Sequence, residues 1–355
     1  MDKLKKIINK LLKDRSLALE EYEYLISNRN AESAELLAER ATEIRKSIYG
    51  DKVFIRGLIE ISNICKNDCY YCGIRKSNKE CRRYRLTEEE ILGCADLGYS
   101  LGFRTFVLQG GEDGYFTDDV LCRLIKEVKH RYADCAVTLS LGERSKESYQ
   151  KLFLAGADRY LLRHETADSE HYGLLHPEEL ILENRLECLE NLRKAGFQVG
   201  CGFMVGSPYQ TDMCIAKDLK FIEKFKPDMC GVGPFIPHKN TPFKNFLAGT
   251  VELTCYLLSI IRIIHPPVLL PATTALGSIE KGGREKGILS GANVVMPNLS
   301  PENARKNYTL YNNKLTIGAE SAEGLESLKK QISAVGYKIV TDRGDIRKEE
   351  YYGNI

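Results

Sequence analysis

Apolar positions along this chain follow two periods that take turns. Over residues 2–50 they recur at helical intervals, as in Leu36, Leu37, Ala41, Ile44 and Ile48, in a background rich in Leu, Ala, Glu and Lys that stops at Gly50. The chain therefore begins with a helical preface. From Phe54 to Asn63 the pattern turns strand-like, with Leu58, Ile59 and Ile61 in close succession. Seven more short apolar runs are predicted as strands, at 105–109, 136–141, 159–163, 198–205, 229–234, 268–271 and 293–296. Amphipathic stretches between them are predicted as helices at 87–101, 118–132, 146–155, 180–195, 211–225, 251–264 and 278–289. Thr87 ahead of Glu88, Glu89 and Glu90 reads as a helix start, and Leu97-Gly98, Ala155-Gly156 and Ala195-Gly196 read as glycine stops.

Eight strands joined by seven crossovers predict an α/β fold, a (β/α)8 TIM-type barrel with N-terminal helices and a C-terminal tail; an open doubly wound sheet is the alternative. The chain has 355 residues, and a barrel of about 250 residues with terminal additions accounts for that length. The expected boundaries are 1–50 for the helical extension, 51–297 for the barrel, and 298–355 for a tail packing over or under it. Barrel enzymes keep their chemistry at the C-terminal ends of the strands. The first strand runs there directly into Cys65-Lys-Asn-Asp-Cys69-Tyr-Tyr71-Cys72.

Three thiols on one tight loop suit three irons of a [4Fe-4S] cube, and with no fourth cysteine at loop distance one iron is left open to a small-molecule ligand. A structural zinc site would pair two cysteine hooks or add nearby histidines, and neither stands beside this loop. The other cysteines lack paired spacing, which fits a reducing, cytoplasmic setting better than a disulfide framework. Cys81, Cys94, Cys122, Cys188, Cys214 and Cys255 fall on or beside helices as small apolar residues, whereas Cys135, Cys201 and Cys230 lie in or beside strands and could reach a cluster inside the barrel. Lys and Arg number 51 against 49 Asp and Glu, so charge balance offers no case for nucleic acid or an anionic membrane. No run reaches the roughly 20 apolar residues of a membrane span, and the opening residues lack a signal-peptide core.

The remaining strand ends are polar where barrel interiors are usually branched and apolar. The second gives Gln109-Gly110-Gly111-Glu112, whose glycines let a ligand approach the backbone and whose carbonyls can accept from an ammonium group. The third gives Thr138, Ser140 and Glu143; the fourth gives Arg163-His164-Glu165-Thr166, an arginine fork for a carboxylate and a carboxylate for ribose hydroxyls. Arg185, at the start of the next helix, is a second candidate for a carboxylate. Strand seven ends at Thr273-Thr274, whose hydroxyls suit a small anion, and strand eight carries Met296, a soft and adaptable wall.

The spacing Cys-x3-Cys-x-aromatic-Cys resembles the signature of the radical S-adenosylmethionine (SAM) superfamily. That resemblance implies SAM chelating the open iron, Tyr71 against the adenine, and Gln109, Gly110, Gly111 and Glu112 at the place of the superfamily's Gly-Gly-Glu motif. With Arg159-Tyr-Leu-Leu-Arg-His-Glu-Thr166, Gly233-Pro-Phe-Ile-Pro-His238, Pro271-Ala-Thr-Thr-Ala-Leu-Gly277 and Met296-Pro-Asn298, the chain from about Phe54 to Tyr311 is similar to the HydE family of maturases, which help assemble the [FeFe]-hydrogenase active-site cluster. The likeness implies reductive cleavage of SAM to a 5′-deoxyadenosyl radical acting on a small precursor. It implies metal ligation by Cys65, Cys69 and Cys72, and SAM contacts from Glu165 and Arg185. It places Thr138, Arg163, Thr273, Thr274, Met296 and Tyr311 at the substrate end, with no catalytic side chain beyond the cluster and SAM. An external electron donor and other hydrogenase-maturation proteins are the implied partners. Methylornithine synthase and biotin synthase are neighbouring alternatives. Some members of the family bear a second cluster on tail cysteines; no cysteine follows Cys255 here, which excludes one.

Overall fold

The computed structural model describes residues 3–348. Eight parallel strands close into a barrel. The first is formed by Lys52–Ile55 running on into Gly57–Ser62, and is followed by Thr105–Gly110, Ala136–Ser140, Arg159–Leu161, Gln198–Cys201 with Met204–Val205, Met229–Cys230 with Gly233–Pro234, a seventh at 268–271, and Val294–Val295. Neighbours pair in sequence order through the sixth strand. Parallel bridges Met229 to Leu269 and Pro271 to Val294 carry the sheet on. Closure comes where Phe54 and Ile55 register with Val294 and Val295, and Leu58 bridges Asn298. The open sheet is thereby ruled out.

The helices lie close to their predicted places: Glu88–Ser100, Asp118–Arg131, Lys146–Leu154, Leu182–Ala195, Asp212–Phe225 and Val251–Ile264. Thr87 accepts from Glu90 N while the Glu90 carboxylate takes Thr87 N, a reciprocal cap that uses two otherwise orphaned donors. Gly156 and Gly196 do end their helices, with φ of 109° and 104°. Gly98 does not, because its helix runs on to Ser100; a Cβ there would sit 2.6 Å from Leu299 Cδ1, so the glycine serves close packing against the barrel. The predicted helix at 278–289 is two short ones, Thr274–Ile279 and Gly283–Leu289, and Ser169–Leu175 adds a helix that the periodicity did not reveal.

The preface forms three helices, Lys3–Asp14, Leu19–Ser27 and Ala31–Tyr49, the last ending at Gly50. Ala31–Tyr49 packs on Val251–Ile264, and Leu19–Ser27 on Asp212–Phe225. Val251–Ile264 is apolar around its whole circumference and buried from Tyr256 to Ile264, so the preface covers a face that water would otherwise meet. After the eighth strand the tail crosses the mouth, continues through Leu325–Ala334, and adds Lys338–Val340 as a strand beside Lys52–Phe54 at the floor. There the buried Arg159 donates to Thr105 Oγ1 (2.9 Å) and Arg343 O (2.9 Å) and pairs with Asp345, which plugs the lower end.

Inward positions change character from floor to mouth. Phe54, Met229, Leu269 and Val294 form an apolar floor cluster, with Met296 packed against it. Glu60, Thr138, Arg163, Glu165 and Thr273 follow toward the strands' C-terminal ends.

Burial holds His164, His176 and His265 neutral, each pushed down to about 3 from 6.5. Between those values the unfolded chain binds a proton that the folded chain does not, so stability is complete above about pH 6.5 and falls as the pH drops below it. Denaturant titrations should lose roughly 1 kcal/mol per histidine on going from pH 7.5 to 5.5. A His265→Gln chain should show a shallower slope; an unchanged slope would contradict the assignment.

Candidate active site

Strand one ends at Ser62, and residues 63–83 make an excursion that carries the three cysteines and returns to pair Arg85 with Ser62. Arg83 pegs this excursion from within, donating from Nη1 to Asn63 O (2.6 Å) and Ile74 O (2.7 Å) and from Nη2 to Arg75 O (2.6 Å). Arg75 in turn makes a two-point ion pair with Asp68, which also takes Ser77 N and Oγ. A half-buried guanidinium satisfied by carbonyls and a fork-to-fork pair brace the loop's backbone.

The loop is pressed against the end of strand two. A Cβ on Gly111 would lie 2.3 Å from Ile64 O and 2.8 Å from Cys65 Cβ, so only glycine fits. Glu112 N donates to Cys65 Sγ (3.4 Å) and Lys66 N to Glu112 O (3.0 Å). The Glu112 carboxylate takes Glu143 N (3.0 Å) through Oε1 and pairs with Lys66 (3.0 Å) through Oε2. Both oxygens are therefore committed to bracing the loop against strand three. Gln109 is held by Tyr308 Oη, at 3.3 Å.

All three thiols are pushed up by burial, Cys69 to about 12 and Cys72 well above 9, with the neighbouring thiols adding to both shifts. The protein alone keeps them protonated, so their ionisation requires cationic metal brought to the loop. Among the described residues no three metal-ligating side chains converge on a single ion, as zinc would need. Thiols shared out over separate irons of a cube need no such convergence. Tyr71, next to Cys72, donates or accepts at His176 Nε2 (3.1 Å) and meets that ring edge-on at 5.4 Å. Cys201 and Cys230 lie opposite each other in register but face the helix layer, because the alternate positions Gly200 and Met229 point inward. They and Cys135, which touches Phe103 O at the floor, are placed away from the loop.

Inside the mouth, polar atoms stand buried without hydrogen-bond partners: Thr138 Oγ1, Arg163 Nε and Nη2, Glu165 Oε2 and Thr273 Oγ1. Arg163 Nη2 and Glu165 Oε2 are 3.2 Å apart, an ion-pair distance with poor hydrogen-bond alignment, so both keep capacity for a third group. Glu165 has φ of 66°, a left-handed backbone fixed by Glu165 N to Gly202 O (3.0 Å) and Met204 N to Glu165 O (3.3 Å). Beneath it, buried Asp218 accepts from Ala167 N and from His164, and His164 Nδ1 accepts from Gly202 N (3.3 Å). Arg185 donates to Glu143 and to Arg163 O (2.7 Å), and its charge reaches Cys69.

The two neighbouring threonines part company. Thr274 Oγ1 donates to Glu320 Oε2 (2.8 Å), which also pairs with Arg284, so Thr274 ties down the tail while Thr273 faces the interior. Tyr311 lies within electrostatic reach of Arg163 and Glu60. Sequence reasoning missed the fully buried Glu60, which pairs with Lys314 from the tail, and Tyr308 beside it. A surface cleft of about 580 Å³, lined by Lys66, Glu143, Arg144 and Cys188 among others, lies on the outer flank. The unpartnered atoms lie inside the barrel instead.

Residues 59–222 match the family model of the Radical SAM superfamily. Over 310 residues, 87% of this chain and 88% of the relative, the sequence is 45% identical to the [FeFe] hydrogenase maturase subunit HydE of Thermotoga maritima. A 3-methylornithine synthase of Methanosarcina acetivorans is 27% identical over 92% of this chain and 91% of its own. Among solved structures, methylornithine synthase is similar in fold, with a TM-score of 0.79 and 23% identity, covering 98% of this chain and 100% of that one. The maturase HydG from Carboxydothermus hydrogenoformans gives a TM-score of 0.78 at 22% identity, covering 95% and 79%. Identity of this order along nearly the whole length, on a barrel whose first strand delivers three cysteines to the mouth, places the chain in the HydE family of the radical SAM superfamily.

Proposed function

We propose that this radical SAM enzyme works in the assembly of the [FeFe]-hydrogenase active-site cluster, in the cytoplasm, with an external one-electron donor and other maturation proteins as partners. The observation that carries the reading is the 45% identity to HydE over 87% of the chain. The bound pair of [4Fe-4S] cluster and SAM would supply a 5′-deoxyadenosyl radical. The chain's own share is to bind, orient and keep water out. Cys65, Cys69 and Cys72 would hold the cluster on the loop that Gly111, Glu112 and Arg83 stiffen. Tyr71, Gln109, Gly110, Glu165 and Arg185 would hold SAM. Glu165 is favoured for ribose because its buried Oε2, ion-paired with Arg163 but without a hydrogen-bond partner, sits on a fixed, left-handed backbone.

The substrate end would be Thr138, Arg163, Thr273, Met296 and Tyr311, with Thr274 acting through the tail. A charged fork beside two unpartnered hydroxyls suits a small molecule bearing a carboxylate. Unpaired buried donors and acceptors cost roughly 1–3 kcal/mol each, a cost that bound ligand would offset.

Gly111→Ala should insert a methyl against backbone, costing roughly 1–3 kcal/mol that falls on the cysteine loop. Iron and sulfide content after anaerobic reconstitution should drop while circular dichroism stays native; full cluster occupancy would refute the bracing role. Glu165→Gln should weaken SAM binding about tenfold with the cluster intact. Thr273→Val should spare both cluster and SAM affinity yet abolish productive turnover, whereas Thr274→Val should loosen the tail, read as faster proteolysis near Glu320. The physiological test supplies the protein to a maturation system lacking HydE and measures hydrogen production. Failure to restore it, alongside methylornithine formed from lysine, would transfer the function to that relative's chemistry.

A further inference from the structure

The chain's charges balance overall, 51 basic against 49 acidic, but not around the cysteine loop. Residues 64–83 and 236–250 together carry eight Lys or Arg against two carboxylates, Asp68 and Glu80. Asp68 is already consumed by Arg75 and Ser77. Arg75 and Arg83 are the internal pegs, which leaves Lys66, Lys76, Lys79, Arg82, Lys239 and Lys244 exposed.

These two segments form one surface. A Cβ on Gly73 would lie 2.6 Å from the His238 ring, and Phe243 meets Tyr70, between Cys69 and Cys72, with ring centroids 6.1 Å apart. Beside that contact, Tyr209, Phe243 and Phe246 form a ring cluster with centroid spacings of 5.3–6.1 Å. Its outer members are open to water, Tyr209 being 55% exposed and Phe246 37%, and the next residue in the chain, Leu247, is 89% exposed. Tyr209 also holds a left-handed backbone, φ 65°, on the stretch between Val205 and Asp212, whose Gly206 and Gln210 are fixed by hydrogen bonds. Exposed apolar side chains on a surface whose segments also carry exposed lysines have the make-up of a protein contact, which joins apolar and charged area.

We infer that this face, built by residues 64–83 and 236–250 with Tyr209, is the docking site for a small acidic one-electron carrier protein. The inference rests on the radical SAM reading, which requires one electron at the cluster. The excursion that holds the thiols is itself part of the surface, so a partner seated here lies against the loop that carries them. The transfer is balanced: the carrier is oxidised by one electron, the cluster is reduced by one, and no proton moves. A positive field speeds encounter with an acidic partner without needing a large interface, which suits a carrier that must leave after each transfer.

The test uses reconstituted holoprotein and two variants, Lys76→Glu/Lys79→Glu and Lys239→Glu/Lys244→Glu, none of them in the SAM or substrate machinery. Cluster bleaching and 5′-deoxyadenosine formation are followed with a reduced acidic ferredoxin, a reduced flavodoxin, and photoreduced deazaflavin as a neutral small reductant. With at least one protein donor, wild type should react at a rate that falls steeply with salt, and each variant should be at least ~10-fold slower with a flattened salt dependence. Deazaflavin should reduce all three chains equally. Equal rates of wild type and variants with the protein donors, or no reaction with either donor while deazaflavin works, would overturn the docking site. No 5′-deoxyadenosine from wild type even with deazaflavin would instead overturn the radical SAM reading.

Discussion

The structure depends on one close contact, the cysteine loop lying directly on the turn after strand two. Gly111 leaves no room between that turn and Ile64 or Cys65, and Glu112 fixes the gap from both its backbone and its carboxylate. Thiols raised by burial gain nothing from the protein unless metal arrives. Most of the contacts that shape the loop do not involve the sulfurs. Arg83, Arg75 with Asp68, and the Gly111 turn supply that shape, and each is a polar or steric constraint on backbone. A loop ordered only by its metal would carry the ordering entropy into every assembly event.

Much of this was legible because the barrel repeats one rule eight times. Apolar runs too short for helices alternated with amphipathic stretches too long for strands, and closure followed from counting them. What escaped the reading has a physical reason in each case. Leu97-Gly98 reads as a helix stop because glycine is used both where φ turns positive and where two elements touch; only the fold separates the uses, and a Cβ at Gly98, which would lie 2.6 Å from Leu299 Cδ1, identifies the second. Ser169–Leu175 spans seven residues, less than two full turns, so no period could emerge. Thr273 and Thr274 are chemically identical, and their division of labour is set by Glu320, 46 positions beyond Thr274.

Glu60 shows where more could have been read. It stands between Ile59 and Ile61 on a strand, in a position that alternation assigns to the opposite face from both. A carboxylate facing a barrel interior demands a partner, and that demand was visible. The partner was not: Lys314 lies 254 residues away, and no local pattern announces it.

That pair explains how the tail dispenses with cysteines. Lys314 reaches Glu60 inside the mouth and also donates to Tyr308 O (3.0 Å), while Glu320 joins Arg284 and Thr274 at the rim. Asn298 continues the lock, since its N donates to Glu320 O at 2.8 Å and its Oδ1 accepts from Ser300 N at 2.9 Å. Each is a buried polar contact whose partners would be left unpaired if the strap lifted, at a cost of roughly 3–5 kcal/mol for a broken buried ion pair. A metal cluster would fasten such a strap by ligation and make it redox-sensitive. Ion pairs fasten it by burial alone, so opening is governed by water reaching Glu60 and Glu320. The barrel thus carries its three-cysteine loop at one edge of the mouth, after strand one. The rest of the mouth is closed by charges drawn from strand one, the helix Gly283–Leu289 and the tail, and the atoms of Thr138, Arg163, Glu165 and Thr273 that lack hydrogen-bond partners lie inside.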